Sequence, residues 1–356
     1  MAGERKPPDR SALSTDPAGS MPSHTRRGGP RRRELELDDY VSGVRDGDRA
    51  VLGRAISLIE SNRPEHQELA QEMLRELLPS TGRSIRLGLT GVPGAGKSTF
   101  VEVLGTRLTA EDRRVAVLAV DPSSGVSGGS ILGDKTRMAR LGSDPKAFIR
   151  PSPSGGTLGG VARKTRESML VCEAAGYDVV VVETVGVGQS ETQVAEMTDV
   201  FCALLLAGAG DELQGIKRGL LELVDVIAVN KADGPDVDRV AKAARQIETA
   251  LHIFRGGDEV PVLTCSALRD DRVDEVWKTI LGLHDHRRDA GELETRRRTQ
   301  DVRWMWSLVD EQIQSRMRRD DTVRDVANAM EDAVREGSVP AVEAAVRVVE
   351  AFTRKD

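Results

Sequence analysis

Residues 85–99 read IRLGLTGVPGAGKST, and this stretch identifies the fold class. Ile85–Thr90 is an apolar run of strand length, and the segment after Ser98 has apolar residues at helical spacing. The glycine-rich turn between them fits the pattern GxxxxGK[ST], with Gly91 and Gly96 as its outer glycines. Because the pattern lies between a strand and a helix, it predicts a phosphate-binding loop rather than an ordinary glycine-rich turn.

Each residue type in this loop suits phosphate binding. Glycines let backbone N–H groups converge on phosphate oxygens, and the positive end of the following helix adds to the attraction. We expect Lys97 to bridge the β- and γ-phosphates, which makes it a candidate catalytic residue, and Ser98 to give its hydroxyl oxygen to Mg²⁺. The predicted phosphate-side contacts are Gly91, Val92, Pro93, Gly94, Ala95, Gly96, Lys97, Ser98 and Thr99.

Strand-like apolar runs alternate with helical stretches along the rest of this region. Such alternation implies right-handed crossovers and a mostly parallel sheet with helices on both faces, an α/β fold of the P-loop NTPase type. Since the carboxyl ends of parallel strands share one edge, ligand sites are expected there. The predicted strands are Ile85–Thr90, Val115–Val120, Val179–Glu183, Val200–Ala207, Val226–Asn230 and Val262–Cys265.

Two strand ends carry a pattern typical of guanine recognition. Residues 230–233 read NKAD, the NKxD pattern of GTP-binding proteins, and residues 266–268 read SAL, which matches a loop that contacts guanine O6 through backbone N–H groups. A carboxylate at Asp233 can accept hydrogen bonds from guanine N1–H and the 2-amino group, a donor pair that adenine lacks. Guanine is therefore the favoured base, with ATP as the alternative. The predicted base contacts are Asn230, Lys231, Asp233, Ser266, Ala267 and Leu268.

A third strand end carries a candidate metal ligand. Val179–Val182 leads into Glu183, and Gly186 follows, in the places of the Asp and Gly of the DxxG motif of G proteins. We expect the carboxylate to hold the metal and the Gly186 N–H to sense the γ-phosphate. Val187 stands where Ras-like proteins have the Gln that orients water. Whether Gln189 acts in catalysis or at the surface stays open.

Two aspartates have two interpretations each. Asp121 follows the strand Val115–Val120, and Asp134 lies in the string GDKTRM at residues 133–138. Both could reach the phosphate edge as metal ligands. A strand-end turn and a helix N-cap explain the same residues without a ligand, because Asp is favoured in both places. The residues alone leave the two interpretations open.

Composition argues against several classes of protein. Lys plus Arg number 51 and Asp plus Glu 57, a formal net charge of −6, which argues against a general nucleic-acid binder. No apolar stretch approaches the roughly 20 residues of a membrane span. The three cysteines and five histidines lack metal-ligand spacing, which argues against structural zinc. The cysteines indicate reduced core thiols, and a cytoplasmic location is therefore expected.

The chain is expected to have four parts. Residues 1–33 are rich in Pro, Gly, Ser and Arg and predict a disordered tail that lacks the apolar core of a secretory signal. Residues 34–80 have a helical period and predict an N-terminal extension, and residues 81–290 hold the P-loop domain. Residues 291–356 return to long helical stripes. These stripes alone fit either a lid on the sheet or an arm that dimerises.

Several strings together resemble one family, the G-protein chaperones of adenosylcobalamin-dependent acyl-CoA mutases, which includes MeaB, ArgK and MMAA. The resemblance implies a P-loop G domain of the SIMIBI class with an N-terminal helical extension and a C-terminal dimerisation arm, and therefore a homodimer. The shared strings run from Ile85 to Leu268 and are GVPGAGKST, VDPSS, GDKTRM, ETVGVGQSE, GAGDELQGIK and NKAD.

The resemblance also implies residue roles and a partner. Asp121, Asp134 and Glu183 fall on the family's metal- and phosphate-site carboxylates, and Asp121 and Glu183 are candidate catalytic residues. Residues 208–217 fall on a switch loop that the family uses to signal to the mutase. Its signalling candidates are Asp211 and Lys217. Members load adenosylcobalamin onto methylmalonyl-CoA mutase or a related acyl-CoA mutase, and protect or rescue it, under the control of GTP.

Two other functions of the same P-loop class stay open. A metal-insertion GTPase that delivers nickel would be expected to carry a His-rich tract or CxxC-type ligands, and the sequence has neither. A phosphotransferase with a small-molecule acceptor would need an acceptor pocket, which a sequence does not reveal. The sequence carries no protein-kinase signature.

Overall fold

The computed structural model describes residues 35–120, 138–151, 158–184, 190–207, 218–255 and 259–353. The predicted tail at residues 1–33 therefore lies outside the described residues. The chain divides into two compact units after Glu36, and every helix and strand given below belongs to the second unit, Leu37–Asp356.

In the described residues, three helices precede the sheet, as the helical period of this region predicts. They are α1 (Leu37–Arg45), α2 (Arg49–Glu60) and α3 (Pro64–Leu77). The start of α2 is capped by the Asp48 carboxylate, which accepts hydrogen bonds from the N–H groups of Ala50 and Val51 at 2.7 and 3.2 Å. Pro64 occupies the first turn of α3, where its missing N–H costs nothing.

Within the described ranges, seven strands form one parallel sheet. They are β1 (Ile85–Gly91), β2 (Val115–Val120), β3 (Ala147–Arg150), β4 (Val179–Thr184), β5 (Val200–Leu206), β6 (Val226–Asn230) and β7 (Val262–Thr264). Their order across the sheet is β3-β2-β4-β1-β5-β6-β7, with every pair parallel. All residues of β1, β2 and β4 are buried, as expected for the centre of a sheet covered on both faces. The α/β P-loop fold predicted from the sequence is confirmed.

One strand was missing from the sequence-based prediction. β3 has only four residues, reading AFIR, and it pairs with β2 in the register Val115↔Ala147 to Leu118↔Arg150. A run this short between prolines at 145 and 151 carries little periodic signal. It is a strand because the open edge of β2 supplies its hydrogen-bond partners.

Helices cover both faces of the sheet between the strands. In the described residues they are α4 (Lys97–Ala110), α5 (Ala139–Ser143), α6 (Leu158–Ala174), α7 (Ser190–Ala195), α8 (Arg218–Leu223), α9 (Val237–Arg255) and α10 (Val273–Asp289), with short 3₁₀ turns at Leu78–Ser80 and Gly234–Asp236. Gln71 of α3 donates to the Glu167 carboxylate of α6 at 3.1 Å, which attaches the N-terminal helices to the sheet's covering layer.

Three helices form the C-terminal part of the chain that the structure describes: α11 (Glu292–Arg319), α12 (Asp321–Arg335) and α13 (Ala341–Thr353). The base of α11 is fixed to the amino-terminal edge of the sheet by Arg297, whose guanidinium contacts both carboxylate oxygens of the buried Asp199 at 2.7 and 2.6 Å. Among the helices that the structure describes, none combines the length and the apolar character needed to cross a membrane.

Candidate nucleotide-binding site

The loop between β1 and α4 is held against two neighbouring strands. Gly91 has φ 147°, and a Cβ there would lie 2.0 Å from the backbone oxygen of Leu204 in β5. Gly96 has φ 90°, and a Cβ there would lie 2.6 Å from Asn230 Nδ2 at the end of β6. Only glycine fits these conformations and distances, so the loop's close approach to β5 and β6 depends on both residues.

Lys97 begins α4, and its ammonium turns back over the loop. Nζ donates to the backbone oxygens of Gly91 at 2.7 Å and Val92 at 3.3 Å, and the residue is buried. Burial lowers the pKa of Lys97, and the negative charge of Glu183 opposes that shift. When a phosphate binds, the ammonium can exchange these two neutral carbonyl oxygens for phosphate oxygens. The phosphate oxygens are negatively charged, so the new hydrogen bonds are stronger.

Two oxygen-bearing side chains meet beside this loop. Ser98 Oγ donates to Glu183 Oε1 at 3.2 Å, which joins the first turn of α4 to the end of β4. Beneath them, Thr184 Oγ1 donates to Thr90 Oγ1 at 2.9 Å. A carboxylate and a hydroxyl are hard oxygen ligands of the kind that Mg²⁺ prefers, so this pair fits a magnesium ion next to phosphates.

The Asn230 side chain connects the phosphate loop to the loop after β7. Its Nδ2 donates to the backbone oxygen of Ala95 at 2.8 Å, and its Oδ1 accepts from the N–H of Ala267 at 2.9 Å. Asn230 is buried, so both contacts are shielded from water. One amide thereby sets the distance between the phosphate loop and the predicted base loop.

Asp233 is held by the loop after β7, which carries the predicted base contacts at residues 266–268. Ser266 Oγ donates to Asp233 Oδ1 at 3.0 Å, and Arg269 Nε lies 4.0 Å from Oδ2. Lys231 takes a positive φ of 65°, and the N–H of Ala232 donates to the Cys265 oxygen at 2.9 Å. This turn brings the Asp233 carboxylate against the Ser266 hydroxyl. The hydrogen bond between them orients the carboxylate toward a base with two adjacent N–H groups.

Comparison with known proteins identifies the family. Residues 52–322 match the model of the family described as methylmalonyl-CoA mutase-associated GTPase MeaB. The chain belongs to the MeaB family. A putative GTPase of Caulobacter vibrioides is 53% identical over 321 residues, which cover 89% of this chain and 98% of that protein. The mouse protein named methylmalonic aciduria type A homolog, mitochondrial, is 42% identical and covers 89% of this chain and 79% of its own length.

A solved structure supports the same assignment. The crystal structure of a protein named LAO/AO transport system kinase superposes with a TM-score of 0.72 at 39% identity, covering 89% of this chain and 97% of that one. The resemblance stated from the sequence motifs is therefore confirmed. As a MeaB-family protein, the chain is a P-loop GTPase related to proteins associated with methylmalonyl-CoA mutase.

Those residues of the predicted nucleotide site that the structure describes lie at one edge of the sheet. The structure brings together the phosphate loop, Glu183, Asn230, Asp233 and the loop of residues 266–268. Leu268 differs from its neighbours, because its side chain is 77% exposed and its position suits only a backbone contact. Five predicted residues lie outside the described part of the chain: Asp121, Asp134, Gly186, Asp211 and Lys217.

Sequence reasoning missed one charged residue at the base side. Arg269 follows the SAL string directly, and its backbone N–H donates to Ser266 Oγ at 3.2 Å while its guanidinium lies near Asp233. Arg269 could have been identified as a candidate from the sequence, because it is the residue next to the SAL motif.

Proposed function

We propose that this chain binds GTP at the carboxyl edge of its sheet and hydrolyses it to GDP and phosphate. The observation that supports this most is the buried amide of Asn230, which links the phosphate loop to the base loop through Ala95 and Ala267. A nucleotide spans the same two loops, with phosphates at one and guanine at the other. The site is thus organised before the nucleotide arrives, which lowers the cost of binding.

Each part of the site has a proposed role. Backbone N–H groups of residues 91–99 hold the phosphates, and the Lys97 ammonium offsets their charge. Ser98 and Glu183 hold Mg²⁺, which neutralises phosphate charge when bound, and Asp121 and Asp134 are proposed to join them. Gly186 is proposed to contact the γ-phosphate through its N–H.

Guanine selectivity is assigned to Asp233. The carboxylate accepts from guanine N1–H and the 2-amino group, and the Ser266 hydroxyl holds it in place at 3.0 Å. The proposed base contacts also include Asn230, Lys231, Ala267 and Leu268. A base that lacks this donor pair would take the partly shielded Asp233 carboxylate out of water without giving it these two hydrogen bonds, which disfavours ATP.

The proposed partner is an adenosylcobalamin-dependent acyl-CoA mutase, most directly methylmalonyl-CoA mutase. This rests on the family's description as mutase-associated. The chain is proposed to gate loading of adenosylcobalamin onto the mutase and to protect or reactivate it in the cytoplasm. Asp211 and Lys217 are proposed to carry the signal between the two proteins without holding GTP.

The division of the chain is proposed as a tail at residues 1–33, a helical extension at 34–80, a G domain at 81–290 and a dimerisation arm at 291–356. The arm's role in a homodimer is supported by large apolar side chains that α11 exposes at helical spacing. These are Val302, Met305, Trp306, Val309 and Ile313, between 36% and 58% exposed. A face of this kind is expected to be covered by a second copy of the chain.

GTP turnover with and without purified methylmalonyl-CoA mutase tests this proposal. We expect slow hydrolysis by the chain alone, because Val187 stands where a water-orienting Gln would be, and faster hydrolysis with the mutase. Labelled GTP should yield GDP and free phosphate only, whereas a phosphotransferase would label an acceptor.

Lys97→Ala is the matching variant, and we expect it to lose nucleotide binding and turnover. Lys278→Ala serves as its control, since Lys278 is exposed and pairs only with Asp274 at 2.9 Å in the described contacts. Normal GTP turnover by Lys97→Ala would overturn the assignment of the nucleotide site. GTP turnover of the unchanged chain that no mutase alters would overturn the proposed partner.

A further inference from the structure

The loop after β7 is buried at its start and exposed beyond it. Residues 266–271 form a closed turn, in which the backbones of Ser266 and Asp271 exchange two hydrogen bonds at 2.9 and 3.0 Å. Ser266 and Ala267 are buried, whereas residues 268–272 are all exposed. Because exposed side chains add little packing, the shape of this second half depends on the hydrogen bonds and ion pairs that hold it.

One arginine of the helix that follows the phosphate loop holds the exposed half of the turn. Arg107, in the last turn of α4, donates through Nε to Asp270 Oδ1 at 2.7 Å and through Nη2 to the Asp270 backbone oxygen at 3.1 Å. Both contacts go to one residue, so the guanidinium fixes the backbone of Asp270 as well as its side chain. Asp270 has φ 55°, a left-handed conformation that is uncommon outside glycine and that such contacts stabilise.

The turn offers one backbone donor to the base side of the site. Of the three N–H groups of the SAL string, that of Ser266 donates to Asp271 and that of Ala267 donates to Asn230 Oδ1 at 2.9 Å. The N–H of Leu268 has no acceptor among the contacts of the described residues. It is therefore the donor of this string that is left for an oxygen of the base.

The Leu268 N–H lies between two points at which the chain is held. Ala267 is held on one side by Asn230, and Asp270 is held on the other side by Arg107. The pairing of residues 266 and 271 closes the turn, but it leaves the backbone inside the turn free to rotate. Without the contact to Asp270, the Leu268 N–H can turn away, and a hydrogen bond weakens steeply as its donor loses alignment.

We propose that Arg107 is a positioning residue for guanine recognition, because through Asp270 it fixes the turn whose Leu268 N–H binds the 6-oxo group of the base. This rests on the proposed binding of GTP. The helix that begins at Lys97 beside the phosphates thereby also holds the base loop, by a contact separate from the buried Asn230 amide. The side chains of Arg107 and Asp270 are 39% and 48% exposed, so water screens the pair and its effect on binding is modest.

Arg107→Met tests the proposal, since Met keeps the long apolar side chain and the helix preference but has no donor. GDP affinity should fall by about two- to fivefold, the size expected for an exposed ion pair with good geometry. The affinity for 6-thio-GDP should change by less than about 1.5-fold, because sulfur is a weak acceptor and gains little from the Leu268 N–H. The affinity for IDP should fall as much as that for GDP, since IDP keeps the 6-oxo group and lacks only the 2-amino group that Asp233 binds.

A second pair of variants supplies the matched control. Asp270→Gly suits the positive φ, removes the carboxylate and should weaken GDP binding by a similar factor, with little further loss when combined with Arg107→Met. Asp112→Gly changes a comparable residue, because Asp112 has φ 68° and an exposed ion pair with Lys146 at 2.7 Å just after α4. It should leave the affinities for all three nucleotides unchanged.

Two results would overturn the positioning role of Arg107. One is an equal loss of affinity for GDP and 6-thio-GDP, and the other is a lower melting temperature with unchanged GDP affinity. If Arg107→Met fails to fold, Asp270→Gly provides the same comparison of nucleotides. An unchanged chain that binds ADP as tightly as GDP would instead refute the proposed guanine site.

Discussion

Asn230→Ala probes the connection between the two nucleotide loops. The substitution removes a buried amide that donates to Ala95 and accepts from Ala267. It leaves one backbone oxygen and one backbone N–H without these partners, both at positions that are buried. The phosphate loop and the base loop then lose the contact that sets their separation.

The size of the effect can be worked from these two groups. A buried polar group left unpaired costs about 1–3 kcal/mol, so the free energy of unfolding should fall by about 2–6 kcal/mol. GDP affinity should weaken by about tenfold or more, since tenfold corresponds to about 1.4 kcal/mol and the binding loops must be ordered again when the nucleotide binds.

Urea unfolding of the nucleotide-free chain and fluorescence titration with GDP measure the two effects. Asn62→Ala is a suitable control, because Asn62 is exposed and accepts one hydrogen bond from Lys164 at 2.8 Å. We expect it to change the free energy of unfolding by less than about 0.5 kcal/mol. An Asn230→Ala protein that unfolds at the same urea concentration and binds GDP as tightly as the unchanged chain would show that this amide does not set the loop separation.

Three further predictions concern the same edge of the sheet. Asp233→Asn should weaken the affinity for GTP relative to that for XTP by about a hundredfold in competition binding, because an amide suits the 2-oxo group of xanthine. An unchanged preference for GTP would contradict the base assignment. Glu183→Gln should raise the Mg²⁺ concentration needed for half-maximal hydrolysis while GDP binding in EDTA stays the same, and an unchanged Mg²⁺ dependence would remove Glu183 from the metal site. Burial raises the pKa of the Cys265 thiol to about 12, so its thiolate fraction at pH 8 is about a thousandfold below that of an unfolded cysteine. Its alkylation at pH 8 should therefore be far slower in the native protein than in the urea-unfolded chain, and equal rates would contradict this burial.

The fold class and most of the nucleotide site follow from the amino-acid sequence alone. The reason is that these signals are local: the P-loop needs glycines, a lysine and a serine within one short turn, and NKAD is contiguous at a strand end. The apolar runs of β1, β2, β4, β5 and β6 were readable because buried parallel strands are continuously hydrophobic.

Which of these motifs touch one another depends on the three-dimensional arrangement. Asn230 is 135 residues from Ala95 and 37 from Ala267, and its hydrogen bonds depend on β6 and β7 following β5 in the sheet, an order that hydrophobic pattern does not encode. The same holds for β3, whose four residues are a strand because β2 is beside them. It also holds for the hydrogen bond from Gln300 Nε2 to the backbone oxygen of Thr198, two residues that are 102 apart in the chain. Contacts between residues far apart in the chain depend on the relative positions of strands and helices, and those positions are set by packing of the whole domain.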